Sequence, residues 1–136
     1  MVGMTTPKKR GTNFEYRVAY LFESFGYEWD RSGSSLGIDL KIFRDGRLRY
    51  LVSCKKTSAR EMIYVPKSEV NFLLDNARRC GAEALLCFSF YRTPILVLPI
   101  AGLKKLQKTR LFFKIDASAG APLREFLRHH QKPAGR

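Results

Sequence analysis

The sequence has few of the residues that cross-link a chain, bind zinc or cross a membrane. Its three cysteines, Cys54, Cys80 and Cys87, are odd in number and show no Cys-x-x-Cys spacing, which argues against a disulfide framework and against a zinc site. No apolar run approaches the about 18 residues of a membrane span, and the N-terminus has no apolar signal core. These absences predict a cytoplasmic protein with no membrane partner.

Acidic residues are also scarce. The chain has 12 Asp and Glu against 25 Lys and Arg, a net charge of +13 at pH 7. Net charge bears on partners rather than on fold, so this excess predicts a polyanionic partner. The alternative is the solvated basic surface of a thermophilic protein, which is less favoured because such surfaces usually balance Lys with Glu. At 136 residues and 45% hydrophobic content, the chain is long enough to bury the core of one globular domain.

Composition divides the chain into a basic flexible arm at 1–10, a single domain at 11–130 and a flexible tail at 131–136. The residues expected to contact nucleic acid are all basic: Lys8, Lys9, Arg10, Arg31, Lys55, Lys104 and Lys105. Contacts to phosphates position a protein on nucleic acid without reading its sequence. The two histidines, His129 and His130, are interpreted as solvated residues at a helix end rather than as ligands.

Apolar periodicity and end signals predict three helices separated by short strands. The first helix opens at residues 11–13 and ends near Gly26, the second is capped by Ser68 and ended by Gly81, and the third spans 123–130. Strands are predicted at 27–30, on both sides of a turn at 44–47, and at 63–65, 84–90, 95–98 and 111–115, the last at a sheet edge. This order predicts an α/β fold, a central mixed β-sheet flanked by helices.

The stretch from Gly37 to Lys56 carries the most informative pattern. An Asp-Gly pair between two apolar runs predicts a β-hairpin, and antiparallel pairing then brings Asp39 close to Cys54 at the open end. Side chains alternate along a strand, so Cys54 and Lys56 share one face and Lys55 takes the other. An Asp that faces such a strand end is typical of metal-dependent phosphodiesterases. These enzymes need a second carboxylate at the position that Cys54 occupies here.

Several motifs occur in a fixed order along the chain. They are Gly11-x-x-Phe14-Glu15, a Ser/Gly loop at 31–36, Tyr50 to Lys56, Tyr64-Val65, Glu69-Val70, Ala77 to Glu83, and Phe113 to Asp116. In order and spacing they resemble the archaeal Holliday junction resolvases, which belong to the nuclease superfamily that includes type II restriction enzymes. The resemblance covers roughly residues 11–116. It implies a restriction-endonuclease-like nuclease fold, a two-fold homodimer, and cleavage of four-way DNA junctions with Mg²⁺ or Mn²⁺.

The resemblance also implies a catalytic set, residue by residue. Glu15, Asp39 and Lys56 match the first-helix Glu, the strand Asp and the Lys of a Glu-x-Lys motif, and Asp39 and Glu15 would hold the metal. Ser32 is the better match for an assisting loop Ser, with Ser35 as the alternate. Spacing alone leaves Glu15 equally open to a structural interpretation, as a first-turn acid favoured by the helix dipole.

The Glu of the Glu-x-Lys motif maps onto Cys54, a soft ligand and a poor replacement for a hard carboxylate. One interpretation is a protein that has lost catalysis and keeps its binding surface for DNA or RNA. Another is that Glu69, 13 residues after Lys56, supplies the carboxylate, as a helix Glu does in some restriction endonucleases. The favoured interpretation of Glu69 is structural, a first-turn acid helping Ser68 to cap the second helix. A third class is a resolvase-like scaffold that binds structured RNA or a protein partner without cleavage.

Overall fold

The computed structural model describes residues 7–31, 37–58 and 62–130, of which residues 7–12 and 104 are described without their side chains. These ranges contain three α-helices: α1 (Pro7–Ser24), α2 (Lys67–Cys80) and α3 (Leu123–His129). Their strands are β1 (Glu28–Asp30), β2 (Leu40–Arg44), β3 (Arg47–Lys56), β4 (Ile63–Pro66), β5 (Glu83–Ser89), β6 (Leu96–Pro99), β7 (Phe112–Ile115) and β8 (Ala121–Pro122). Two 3-10 helices span Ile100–Lys105 and Ala117–Ala119. No helix in the described part of the chain is long and apolar enough to span a membrane.

Six strands form the central sheet in the order β1-β2-β3-β5-β6-β8. The β3–β5 pair is parallel and the other pairs are antiparallel, so the predicted central mixed sheet flanked by helices is confirmed. The strand predicted at 111–115 is confirmed as β7, but it pairs with β4 in a separate two-stranded sheet and is not an edge strand of the central sheet. Its register places Ile115 opposite Ile63, and both are buried in the core beside α2.

The two faces of the central sheet carry separate cores, and β3 contributes alternate residues to each. Val52 packs with the buried residues of α1 and α3, and Leu51 packs with those of α2. The α1 core includes Phe14, Val18 and Phe22. Because side chains alternate along a strand, Cys54 emerges on the face of α1 and Lys55 on the face of α2.

The predicted hairpin is confirmed and joins β2 to β3. Asp45 and Gly46 both have positive φ, 54° and 76°, which is the backbone of the tight turns that suit the twist of a hairpin. Leu40 lies opposite Val52, so Asp39, the residue before β2, lies at the open end of the hairpin.

Two helices begin at residues that the sequence did not predict. Helix α1 begins at Pro7, because a proline in the first turn loses no intrahelical hydrogen bond. Residues 7–10 therefore lie in α1, although the sequence placed them in a flexible arm. Helix α2 begins at Lys67, with Pro66 at the N-cap and no side-chain capping bond, so Ser68 lies inside the first turn and is not the cap. The predicted end of α2 at Gly81 is confirmed, since Gly81 adopts φ 68°.

Candidate active site

Asp39 is fixed at the open end of the hairpin by two hydrogen bonds. Its backbone N–H donates to the carbonyl oxygen of Val52 at 2.9 Å. Its carboxylate Oδ2 accepts a hydrogen bond from the backbone N–H of Cys54 at 2.7 Å. The predicted proximity of Asp39 and Cys54 is therefore confirmed, and the contact uses the backbone of Cys54 rather than its thiol.

The carboxyl group of Asp39 is half-buried, and its pKa is raised from 3.8 to about 6. Burial is the largest cause, and the nearby Glu15 carboxylate raises the pKa further. The Cys54 N–H and the Lys55 ammonium oppose the rise. A cation bound here would favour the ionised form that burial disfavours. A carboxyl perturbed by burial and by a specific charged neighbour is typical of functional sites.

Glu15 comes from the middle of α1 and provides the second carboxylate. Because α1 begins at Pro7, Glu15 lies beyond the first turn, so the helix dipole no longer explains its position. Its Oε1 accepts a hydrogen bond from Nε of Arg31 at 2.7 Å. Nothing in the sequence indicated this ion pair, because it joins a helix to the residue that follows β1.

On the opposite face of β3, Lys55 pairs with α2. Its ammonium lies 2.8 Å from Oε1 of Glu69. That oxygen is buried and accepts no well-directed hydrogen bond from the described residues, so the ion pair is what offsets its burial. A Cβ placed on Gly37 would lie 3.5 Å from the same oxygen. Glu69 therefore borders the segment that leads into Asp39, and helping Ser68 to cap α2 is not its role.

The thiol of Cys54 does not replace a carboxylate. Burial raises its pKa well above the ordinary value, and Cys87 and Asp39 add to the rise. The side chain is therefore a neutral thiol at neutral pH and packs against the α1 core. A thiol is in any case a soft ligand that suits Mg²⁺ poorly, so position 54 lacks the hard carboxylate oxygen of a Glu-x-Lys motif.

The remaining predicted site residues differ in where the structure places them. Lys56 is exposed at the end of β3, on the same face as Cys54. Lys105 is exposed at the end of a 3-10 helix. Ser32 and Ser35 lie outside the described residues, and so do the side chains of Lys8, Lys9, Arg10 and Lys104.

The donor groups brought together are two carboxylates, Asp39 and Glu15. Within residues 7–31, 37–58 and 62–130, no group of three or more His, Cys, Asp or Glu could hold a metal ion by itself. Mg²⁺ usually takes one or two protein carboxylates and completes its shell with substrate phosphate oxygens and water. The residues present therefore fit Mg²⁺ in an open site that a phosphate completes, rather than a closed cage.

Comparison with known proteins identifies the fold and the family. The structure is similar to that of Hjc from Archaeoglobus fulgidus, described as a Holliday junction resolvase from an archaeal hyperthermophile, with a TM-score of 0.74 and 24% identity. The match covers 88% of this chain and 96% of that one, and it shows the restriction-endonuclease-like fold. The family model described as archaeal Holliday junction resolvase (hjc) matches residues 6–134. The chain belongs to this family.

A curated relative supports the same assignment. Over 91 residues the chain is 28% identical to the crossover junction endodeoxyribonuclease Hjc of Methanocaldococcus jannaschii, covering 67% of each chain.

Proposed function

We propose that this protein is a metal-dependent endonuclease that cleaves DNA at four-way junctions. The observation that carries the proposal is the meeting of Glu15 and Asp39 at the open end of the hairpin, where the Asp39 pKa is raised to about 6. Family membership, with relatives named as an endodeoxyribonuclease and a Holliday junction resolvase, supports it. The net charge of +13 suits a polyanionic substrate.

Asp39 and Glu15 are the proposed ligands of Mg²⁺ or Mn²⁺. A metal held by them would supply a positive charge that polarises the scissile phosphate and activates a water molecule. The backbone N–H of Cys54 holds Oδ2 of Asp39 and so orients the carboxylate that would bind the metal. Lys56, exposed on the same face of β3, offsets phosphate charge and orients the attacking water. Ser32 is assigned the assisting role that the family resemblance implies for a loop Ser.

Glu69 is the proposed third carboxylate, on the α2 side of the site. The Lys55 ammonium pairs with Glu69 and also lowers the Asp39 pKa, so one cation links the two acids electrostatically. A DNA phosphate that draws the Lys55 ammonium to itself would leave the Glu69 carboxylate without its counter-ion. The released carboxylate would then be free to serve as a further ligand of a bound metal.

The proposed functional unit is a homodimer. Two aromatic residues of the second half of the chain, Phe88 and Phe90, are buried inside the protomer and cannot form the interface. The small sheet formed by β4 and β7 leaves Tyr64, Leu111 and Phe112 exposed, with the Tyr64 and Phe112 rings 6.4 Å apart. A two-fold interface through this patch presents two sites to two strands of a junction.

Cleavage of a labelled four-way junction tests the proposal. Wild-type protein is expected to cut the junction with Mg²⁺ or Mn²⁺ and to leave it intact in EDTA. Asp39→Asn is expected to abolish cutting while junction binding persists. Asp75→Asn is a matched control, because Asp75 is an exposed acid of α2 whose ion pair in the described part of the chain is with Arg78. Equal cutting by Asp39→Asn and wild type would refute the site assignment.

The salt dependence of binding tests the partner class separately. If about six phosphates are neutralised, junction affinity is expected to fall roughly a thousandfold between about 50 and 200 mM salt. A flat response would exclude nucleic acid as the partner.

A further inference from the structure

Three aromatic rings contact one another on the surface of α1 and β1, and we refer to them as the aromatic cluster: Tyr16, Tyr20 and Trp29. The Tyr16 and Tyr20 rings stack with centroids 6.0 Å apart, and both meet the Trp29 ring edge-on at 5.8 Å. Tyr20 is the outermost member and is 57% exposed. The cluster therefore presents part of an aromatic ring to solvent.

The aromatic cluster is continuous with the candidate active site through Arg31. The Arg31 guanidinium lies 5.6 Å from the centroid of the Tyr16 ring, and its Nε donates to Glu15 at 2.7 Å. Glu15 and Tyr16 are adjacent in α1. Tyr20 lies five residues after Glu15, about 7.5 Å along the helix axis, which is about two nucleotide steps of a DNA strand at 3.4 Å each.

The cluster is held in a fixed orientation before any ligand binds. The indole N–H of Trp29 donates to Oε1 of Glu23 at 2.7 Å, and the Trp29 ring in turn contacts both tyrosines. Fixed aromatic side chains bind with a smaller loss of conformational entropy than flexible ones. The exposed ring of Tyr20 is therefore a prepared contact surface.

Core packing does not account for the cluster. The buried face of α1 is formed by other residues: Phe14, Val18, Ala19 and Phe22. A single exposed tyrosine is ordinary on a protein surface. Three rings in mutual contact, joined by an arginine to a candidate metal-binding carboxylate, are better explained by contact with a substrate.

We propose that the aromatic cluster is a stacking surface for a nucleobase that has left the base stack at a branch point of DNA. The inference rests on the proposed function, because the DNA must lie across Glu15 and Asp39. Every base has a π-face, so stacking on aromatic side chains tolerates any sequence. A linear duplex keeps its bases stacked on one another. Tyr20 is thus a positioning residue that favours branched over linear DNA.

The single tryptophan makes this testable by fluorescence. Trp29 is the only Trp in the chain, so its emission reports on the cluster directly. Binding is measured in EDTA, to prevent cleavage, with a four-way junction carrying the fluorescent base aminopurine at the branch and with a linear duplex of the same sequence. The proteins are wild type, Tyr20→Ala, and Tyr20→Phe, which keeps the ring and removes only the hydroxyl.

Tyr20→Ala is expected to weaken junction binding about tenfold and to leave duplex binding unchanged. The quenching of aminopurine and the change in Trp29 emission are expected to diminish with it. Tyr20→Phe is expected to behave as wild type, which shows that the ring and not the fold is responsible.

Two results would overturn the inference while leaving the proposed function intact. One is junction affinity and aminopurine quenching unchanged in Tyr20→Ala. The other is an equal loss on junction and duplex, which would make Tyr20 a general contact. If wild type binds neither DNA, the proposed function fails and this inference fails with it.

Discussion

At the end of strand β3, one ion pair between an acidic and a basic residue lies on each of the two faces of the sheet. One member of each pair affects the pKa of Asp39, and the two effects are opposite. On the α1 face, Glu15 pairs with Arg31 at 2.7 Å, and Glu15 raises the Asp39 pKa. On the α2 face, Glu69 pairs with Lys55 at 2.8 Å, and Lys55 lowers it. The α1 face therefore brings a carboxylate close to Asp39, as a cation site requires, and the α2 face brings an ammonium group close to it.

Removing each carboxylate in turn tests this difference and is expected to have the largest effect on cleavage. Glu15→Gln is expected to lower the rate of junction cleavage by about a hundredfold or more, because it removes a charged donor where the metal supplies several kcal/mol. Glu69→Gln is expected to cost about tenfold, as outer groups of metal sites do. Single-turnover cleavage rates measure both, with Asp75→Asn as the control.

Equal losses of cleavage rate in Glu15→Gln and Glu69→Gln would show that the two faces contribute equally and that Glu69 is a direct metal ligand. No loss in Glu69→Gln would remove it from the proposed site.

A carboxylate at position 54 is expected to strengthen metal binding on the α1 face of the sheet. Cys54→Glu adds a hard anionic oxygen where the neutral thiol now stands, so Mg²⁺ affinity and cleavage at limiting Mg²⁺ are expected to rise about tenfold. Cys54→Ser is the matched control, because it keeps the size and neutrality of the side chain. A Cys54→Glu protein that binds junctions normally but cleaves no faster would contradict this expectation.

The raised pKa of Asp39 predicts a pH-dependent stability of the metal-free protein. The pKa is about 6 in the folded protein against 3.8 ordinarily, so the folded state holds the proton more tightly. The resulting stabilisation is fully present below about pH 4 and is lost as the pH rises through about 6. Asp39→Asn cannot ionise, so at about pH 8 it is expected to be more stable than wild type.

At about pH 8 the unfolding free energy of Asp39→Asn is expected to exceed that of wild type by about 1–2 kcal/mol. This is less than the about 3 kcal/mol that a rise from 3.8 to about 6 represents, because the carboxyl is only half-buried and solvent screens it. Urea unfolding in EDTA at about pH 4 and pH 8 measures it. The same stability difference at both pH values would show that Asp39 titrates normally.

The sequence was sufficient for those parts of the site that depend on local pattern. The Asp45-Gly46 turn and strand alternation placed Asp39 beside Cys54 and put Lys55 on the opposite face, because a hairpin fixes its own register. The family motifs indicated Glu15 as a site residue. The start of α1 was mispredicted because Pro7 is permitted in a first turn as readily as outside a helix.

The ion pairs could not be predicted from the sequence, because they depend on how separate elements pack. Arg31 meets Glu15, and Lys55 meets Glu69, only after α1 and α2 settle on opposite faces of the sheet. The position of β7 was missed for the same reason. Its apolar residues would also fit an edge strand of the central sheet. Only the burial of Ile115 against Ile63 and Val65 distinguishes that position from the observed pairing with β4.

Calorimetric titration of the DNA-free protein with Mn²⁺ tests the central claim most directly, since it separates metal binding from substrate binding and from chemistry. Wild type and Asp75→Asn are expected to bind Mn²⁺ with the same affinity, and Asp39→Asn and Glu15→Gln are expected to bind it at least tenfold more weakly. Mn²⁺ binding that is equal in all four proteins would contradict a metal site built on Asp39 and Glu15.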